Sequence, residues 1–178
     1  MHITSFAEGD LHREVMIILD RDNTLCVDFH NMSGETECIL LPGVIEGLKE
    51  LLAINPILAI ATNQSCVGYK RLAISDVENF NSKLLSILSM HGISIDLIAI
   101  CPHIPVDQCD CRKPKPGMLL ELMHISGHTR KDKVFFLGDN VTDIQAANAA
   151  GIQGLLLGNS NFLELCIAVK NTIKNSTL

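Results

Sequence analysis

The sequence predicts an α/β fold: a three-layer, Rossmann-like parallel sheet flanked by helices, with a zinc-binding loop set into it. Three observations predict it. Short apolar runs rich in β-branched residues alternate with segments of helical period, the pattern of βαβ units and of strands buried on both faces. Polar and charged residues of both signs follow each run directly, at the carboxyl ends where open α/β sheets hold ligands. Four thiol and imidazole side chains gather in one proline-rich loop, Cys101 to Gly117.

Taken in order, residues 1–13 read as a polar lead-in. Val15-Met-Ile-Ile-Leu19 is the first buried strand and ends in Asp20-Arg-Asp22-Asn-Thr24. Residues 25–41 show no period and read as a loop. Pro42 then opens a helix with Val44, Ile45, Leu48, Leu51 and Leu52 at helical spacing. Ile57–Ala61 is a second strand, ending in Thr62-Asn63-Gln64-Ser65. Ser75 with Glu78 three residues on predicts a capping box. Val77, Phe80, Leu84, Ile87 and Leu88 mark the long helix behind it, stopped by Gly92. Leu97–Ile100 is a third strand and feeds the cysteine loop. A helix over Met118–Ile125 follows Pro116. Val134–Leu137 is a fourth strand, ending in Gly138-Asp139-Asn140. Next come a helix over Thr142–Ala150 closed by Gly151, a fifth strand over Gly154–Leu157, and a last helix over Asn161–Lys174.

Composition bounds the function. A chain of 178 residues favours one domain, 1–178, with a sizeable core. With 47% hydrophobic and 19% charged residues it is globular and not disordered. A net charge of −6 argues against a nucleic-acid partner, and with one Tyr and no Trp base-stacking platforms are not expected. No apolar run approaches membrane-spanning length, and the start lacks a basic segment followed by an apolar one, so no membrane partner and a cytoplasmic, reducing setting are expected. Cys26, Cys38, Cys66 and Cys166 then read as free thiols.

Cys101, His103, Cys109 and Cys111 fall in a C-x-H, short connector, C-x-C pattern. Three thiolates and one imidazole suit a tetrahedral Zn²⁺. The competing reading is scattered core cysteines with a surface histidine, which a polar loop stiffened by prolines accommodates poorly. With four protein ligands no position is left for water or substrate, so the zinc is expected to be structural, and the loop's work is to present Arg112 and Lys113.

Asp20 and Asp22 stand two apart just beyond a strand, and Asp139 follows another strand. Such carboxylates suit Mg²⁺, or a division into nucleophile and general acid/base. A D-x-D turn capping a helix is the plain alternative. It weakens because Thr62, Lys113 and Asp139 recur at the equivalent place. Thr62 offers a hydroxyl, Lys113 a point charge and Arg112 a planar fork, which together with a divalent metal make a phosphoryl-transfer constellation. A solvated pair of cations is the alternative for Arg112 and Lys113. Asp143 reads equally as a helix N-terminal charge or as a ligand.

These residues also carry a resemblance. Leu-Asp20-Arg-Asp22-Asn-Thr24, Thr62-Asn63, Lys113 and Gly138-Asp139-Asn-Val-Thr-Asp143 resemble, in order, the four motifs of the haloacid dehalogenase-like phosphatases, over residues 15–151. The narrower combination of Thr62-Asn-Gln-Ser65 with Cys-Pro-His103 and Cys-Asp-Cys-Arg-Lys-Pro-Lys-Pro-Gly-Met118 is similar to the D-glycero-D-manno-heptose 1,7-bisphosphate phosphatases and related histidinol-phosphatase domains. The resemblance implies a capless core with one catalytic Mg²⁺ and one structural Zn²⁺. It implies Asp20 as the nucleophile that forms an aspartyl-phosphate, and Asp22 as acid and base that also meets Mg²⁺ through its backbone carbonyl. Asp20, Asp22 and Asp139 would hold Mg²⁺, while Thr62 and Lys113 would steady the phosphoryl group. Asn63, Gln64, Ser65 and Arg112 would contact substrate, and Cys101, His103, Cys109 and Cys111 would bind zinc. The implied partner is a small phosphorylated metabolite: heptose 1,7-bisphosphate losing its 7-phosphate in lipopolysaccharide heptose biosynthesis, or alternatively histidinol phosphate. A monomer is expected. A zinc-stabilised binding module with a lapsed phosphatase core is the reading of another class, and the acidic charge and intact aspartates count against it. The chain departs from the family pattern at Asn23, at Cys66–Lys70, at Asn140 and in the loop 28–34, all where substrate is read.

Overall fold

In the computed structural model, which describes residues 1–6, 11, 13–28, 37–158 and 160–175, the apolar runs lie side by side in one six-stranded sheet. The strands are β1 (His2–Ser5), β2 (Met16–Leu19), β3 (Ile57–Asn63), β4 (Leu97–Cys101), β5 (Val134–Gly138) and β6 (Gln153–Leu156), in the order β1-β4-β3-β2-β5-β6. β2 to β6 run parallel. From β2 the chain steps outward to β3 and β4, then returns to β5 and β6 on the other side. The order therefore reverses between β2 and β5, and a crevice opens at their carboxyl ends.

The continuous apolar runs are explained by two buried faces. Ile17 and Leu19 point into one core, shared with α1 (Val44–Leu52), α3 (Ile74–Met90) and α6 (Phe162–Asn175). Met16 and Ile18 point into the other, shared with α4 (Gly117–Ile125) and α5 (Val141–Ala150). The result is the expected three layers. Helix α2 (Ser65–Gly68) is a single turn directly after β3.

Three local expectations are corrected. Residues 2–5 are not a lead-in but an antiparallel edge strand on β4, pairing His2 with Ile100 and Ser5 with Leu97. The start of α3 is not capped by Ser75 and Glu78. The Ala73 N–H donates to Asp76 Oδ2 at 2.8 Å, Ser75 lies inside the first turn, and Glu78 meets His2 at 2.6 Å. The segment 25–41 is partly paired in its described residues, since Val27 N–H donates to the Ile39 carbonyl and Leu41 N–H to that of Leu25. Of the departing loop 28–34, residues 29–34 lie outside the described residues. Among the described residues, no helix is long and apolar enough to cross a membrane.

Candidate active site

The crevice holds a cluster of buried charge. Asp20 continues β2, its N–H donating to the Leu137 carbonyl of β5 at 2.8 Å. Lys113, 4% exposed, reaches across from the cysteine loop. Its Nζ lies 2.6 Å from Asp20 Oδ1 and 2.7 Å from Asp143 Oδ1, and donates to the Ala61 carbonyl at 3.0 Å. Asp143 sits in the first turn of α5 and is 1% exposed; its Oδ2 accepts the Asn140 N–H at 3.0 Å. Asp143 thus closes the helix start, the first of its two readings, and also faces the cluster. β5 ends in Gly138 because a Cβ there would stand 2.3 Å from Asp143 Oδ2.

Asp20, Asp139 and Asp143 each present a carboxylate oxygen within 4.8 Å of the others. Burial, and then repulsion from Asp143, lift the Asp20 carboxyl to about 7 against the pull of Lys113. Burial and Asp143 also push Asp139 above the usual carboxylate range. Burial works against the Lys113 charge, but Asp20 and Asp143 outweigh it and hold its ammonium above the ordinary lysine value. Three carboxylates facing one ammonium leave two negative charges uncompensated when all are ionised, a donor set that fits a divalent, oxygen-seeking cation.

The Asp22 carboxylate stands outside that cluster and is held by its own partners. Gln64 Nε2 donates to its Oδ2 at 2.6 Å, Thr62 Oγ1 lies 3.4 Å from the same oxygen, and Arg21 Nε donates to Oδ1 at 3.0 Å. Of the expected magnesium set, Asp20 and Asp139 come together as side chains with Asp143 as the third, while the Asp22 carboxylate is not part of the group.

The remaining expected residues divide. Asn63 spends both ends of its amide on the Lys113 backbone: Nδ2 donates to its carbonyl and Oδ1 accepts its N–H, each at 3.1 Å. This fixes where Lys113 enters the crevice. Gln64, Ser65 and Arg112 line an open cavity of about 570 Å³ above Asp20. Tyr69, from the departing segment Cys66–Lys70, forms part of its wall together with Arg71 and Leu72, which the sequence reading missed because nothing in their spacing distinguishes them from a surface loop.

The cysteine loop is gathered as expected. Cys111 Sγ lies 3.5 Å from Cys101 Sγ and from Cys109 Sγ, and 3.2 Å from His103 Nδ1; Cys101 Sγ lies 3.8 Å from Cys109 Sγ and 3.6 Å from His103 Nδ1. Ligand bonds of roughly 2.0–2.3 Å in a tetrahedron place donors about 3.3–3.8 Å apart, so these five distances are close to the spacing of a tetrahedral metal site, and all four atoms lie within 4.8 Å of one another. Arg112 Nη1 donates to the His103 carbonyl at 3.2 Å, which ties the cluster to the cavity wall.

The chain is similar to known proteins. Residues 110–164 match the HAD-hydrolase-like family model. Over 145 residues the chain is 37% identical to the D-glycero-beta-D-manno-heptose-1,7-bisphosphate 7-phosphatase of Pseudomonas aeruginosa, covering 80% of each chain. It is 35% identical over 148 residues to the D-glycero-alpha-D-manno-heptose-1,7-bisphosphate 7-phosphatase of Campylobacter jejuni, covering 83% of this chain and 84% of that one. The solved D,D-heptose 1,7-bisphosphate phosphatase from B. bronchiseptica, complexed with magnesium and phosphate, is similar with a TM-score of 0.77 at 28% identity, over 91% of this chain and 99% of that one. Likeness of this extent in sequence reflects common descent, and the chain belongs to the heptose-bisphosphate phosphatase family of the haloacid dehalogenase-like hydrolases.

Proposed function

We propose that the protein is a Mg²⁺-dependent phosphomonoesterase that removes the 7-phosphate of D-glycero-D-manno-heptose 1,7-bisphosphate through an aspartyl-phosphate on Asp20. The observation that carries the reading is the crevice itself. A buried aspartate touches a buried lysine at the floor of an open cavity, with a second aspartate held beside it by a glutamine and an arginine.

Asp20 attacks phosphorus, and Asp22 protonates the departing sugar oxygen. Asp22 then takes a proton from the water that hydrolyses the aspartyl-phosphate. Lys113 and Thr62 hold the phosphoryl oxygens as charge shifts among them. Asp20, Asp139 and Asp143 would hold Mg²⁺ with the backbone carbonyl of Asp22, where it would supply charge neutralisation for the transferring group. Gln64 keeps Asp22 oriented and Asn63 keeps Lys113 oriented. Ser65 and Arg112 meet the rest of the substrate. Cys101, His103, Cys109 and Cys111 would hold a structural Zn²⁺ that fixes the segment delivering Arg112 and Lys113.

A phosphate-release assay with Mg²⁺, run side by side on heptose 1,7-bisphosphate and histidinol phosphate, tests the substrate. Preferential release from the heptose is expected, and a preference for histidinol phosphate overturns that choice. Zinc content on the same sample tests the loop: one ion per chain is expected, and a preparation never exposed to chelator that holds almost none contradicts it.

A further inference from the structure

We propose that Arg21 is a positioning residue for the acid/base step, and that α3 holds it in place through Asn81 and Phe80. The inference rests on the phosphatase reading of Asp20 and Asp22.

Arg21 lies between the two aspartates in sequence, where a charged residue is usually solvated, yet it is 0% exposed. A buried guanidinium is costly unless its donors and charge are met. Here they are met in a specific way. Nε donates to Asp22 Oδ1 and Nη2 to Asp22 Oδ2, each at 3.0 Å, a planar fork laid against the carboxylate. Nη1 donates to Asn81 Oδ1 of α3 at 2.8 Å. The guanidinium carbon stands 4.7 Å from the centre of the Phe80 ring, one residue earlier on the same helix. The backbone is pinned as well, since the Arg21 carbonyl accepts the N–H of Leu25 at 2.9 Å and of Cys26 at 3.1 Å.

The fork fixes the plane of the Asp22 carboxylate, and Gln64 fixes its edge from the end of β3. Asp20 is held separately, by Lys113. Arg21 therefore acts on the group that gives and takes the proton, while the nucleophile keeps its own support. A lysine at this position keeps the charge but loses the fork. Asn81 and Phe80 place the guanidinium, so α3, a helix outside the cavity lining, has a share in the geometry of proton transfer.

The consequence depends on the leaving group. A sugar alkoxide needs a proton to depart, whereas a nitrophenolate does not. Misplacing Asp22 should therefore slow the first phosphoryl transfer from an alkyl phosphate and spare that from an aryl phosphate. The test compares Arg21→Lys and Asn81→Ala with wild type, with Asp20→Asn and Asp22→Asn as references. Two quantities are read with Mg²⁺ present: kcat and KM on heptose 1,7-bisphosphate, and the rapid-mixing burst of nitrophenolate from p-nitrophenyl phosphate, which reports phosphoryl transfer to Asp20 alone.

Arg21→Lys is expected to lower kcat on the heptose by about 100-fold with little change in KM, and Asn81→Ala by about tenfold, while the burst rate stays within about threefold. Both should follow the pattern of Asp22→Asn and not that of Asp20→Asn. Equal losses on both substrates, or no loss on the heptose, overturn the inference while Asp20→Asn remains inactive. If Arg21→Lys does not fold, Asn81→Ala decides by the same comparison. Turnover of both substrates by Asp20→Asn overturns the phosphatase reading itself, and this inference with it.

Discussion

Lys113 carries the electrostatics of the crevice, because it is the cation that meets both Asp20 and Asp143 inside the protein. Replacing it with Met leaves buried carboxylates without that partner, which typically costs about 3–5 kcal/mol. Denaturant unfolding of metal-free Lys113→Met should show a loss of that order, reduced when Mg²⁺ is added, together with loss of turnover. Unchanged stability would mean that the pair contributes nothing to the fold. Asp20 gives the pH dependence. Its carboxyl is raised from 3.8 to about 7, so the folded state keeps a proton that the unfolded chain has lost. The stability this contributes is fully present below pH 3.8 and disappears as pH rises through about 7. A cation at the cluster competes with that proton. The rise in melting temperature on adding Mg²⁺ should therefore be larger at pH 8 than at pH 6, and the reverse order would contradict the assignment of Asp20 to the cation site. The sequence was informative where a residue stands at or just beyond a strand end, as for Asp20, Asp22, Thr62 and Asp139, all of which line the cavity. It was silent on Arg21 and Asn81. Their meaning lies in burial against each other across 60 positions of chain, which no local spacing encodes.

Among the elements, the loop between β4 and α4 has the most consequence for the site. Its four metal-type donors are linked to the crevice by three short connections: the Arg112 bond to the His103 carbonyl, the paired Asn63–Lys113 amide contacts, and the start of α4. Gly117 at that start has no room for a side chain, because a Cβ would stand 2.3 Å from the Asp110 carbonyl oxygen. Cys109→Ser removes one donor of the proposed zinc site and, through these connections, should weaken vanadate binding and turnover by about 10–100-fold while lowering the melting temperature. A metal-free variant with unchanged kinetics would separate the loop from the site. The loop was legible because its ligands are close in sequence. β1 was not, since four residues of mixed polarity at a sheet edge carry neither period nor apolar run. The start of α3 was misread for a related reason: Ser75 and Asp76 both offer plausible caps, and the choice of Asp76 depends on where Ala73 leaves the preceding turn.

In the molecule as a whole, the two cores on either face of the sheet make the strands rigid, and the reversal of strand order between β2 and β5 leaves their ends open to substrate. That architecture follows from apolar runs alternating with helical segments, which is why the layers were predictable while the antiparallel edge was not. It also explains how residues at the ends of β2, β3 and β5 converge with the β4–α4 loop on one cavity. That Asp20 is the phosphoryl acceptor is the reading this convergence supports. Its most direct test is Mg²⁺-dependent phosphate release from heptose 1,7-bisphosphate by wild type and by Asp20→Asn, with both shown to be folded. Release by wild type and none by the variant is the predicted result, and appreciable steady turnover by the variant would contradict it.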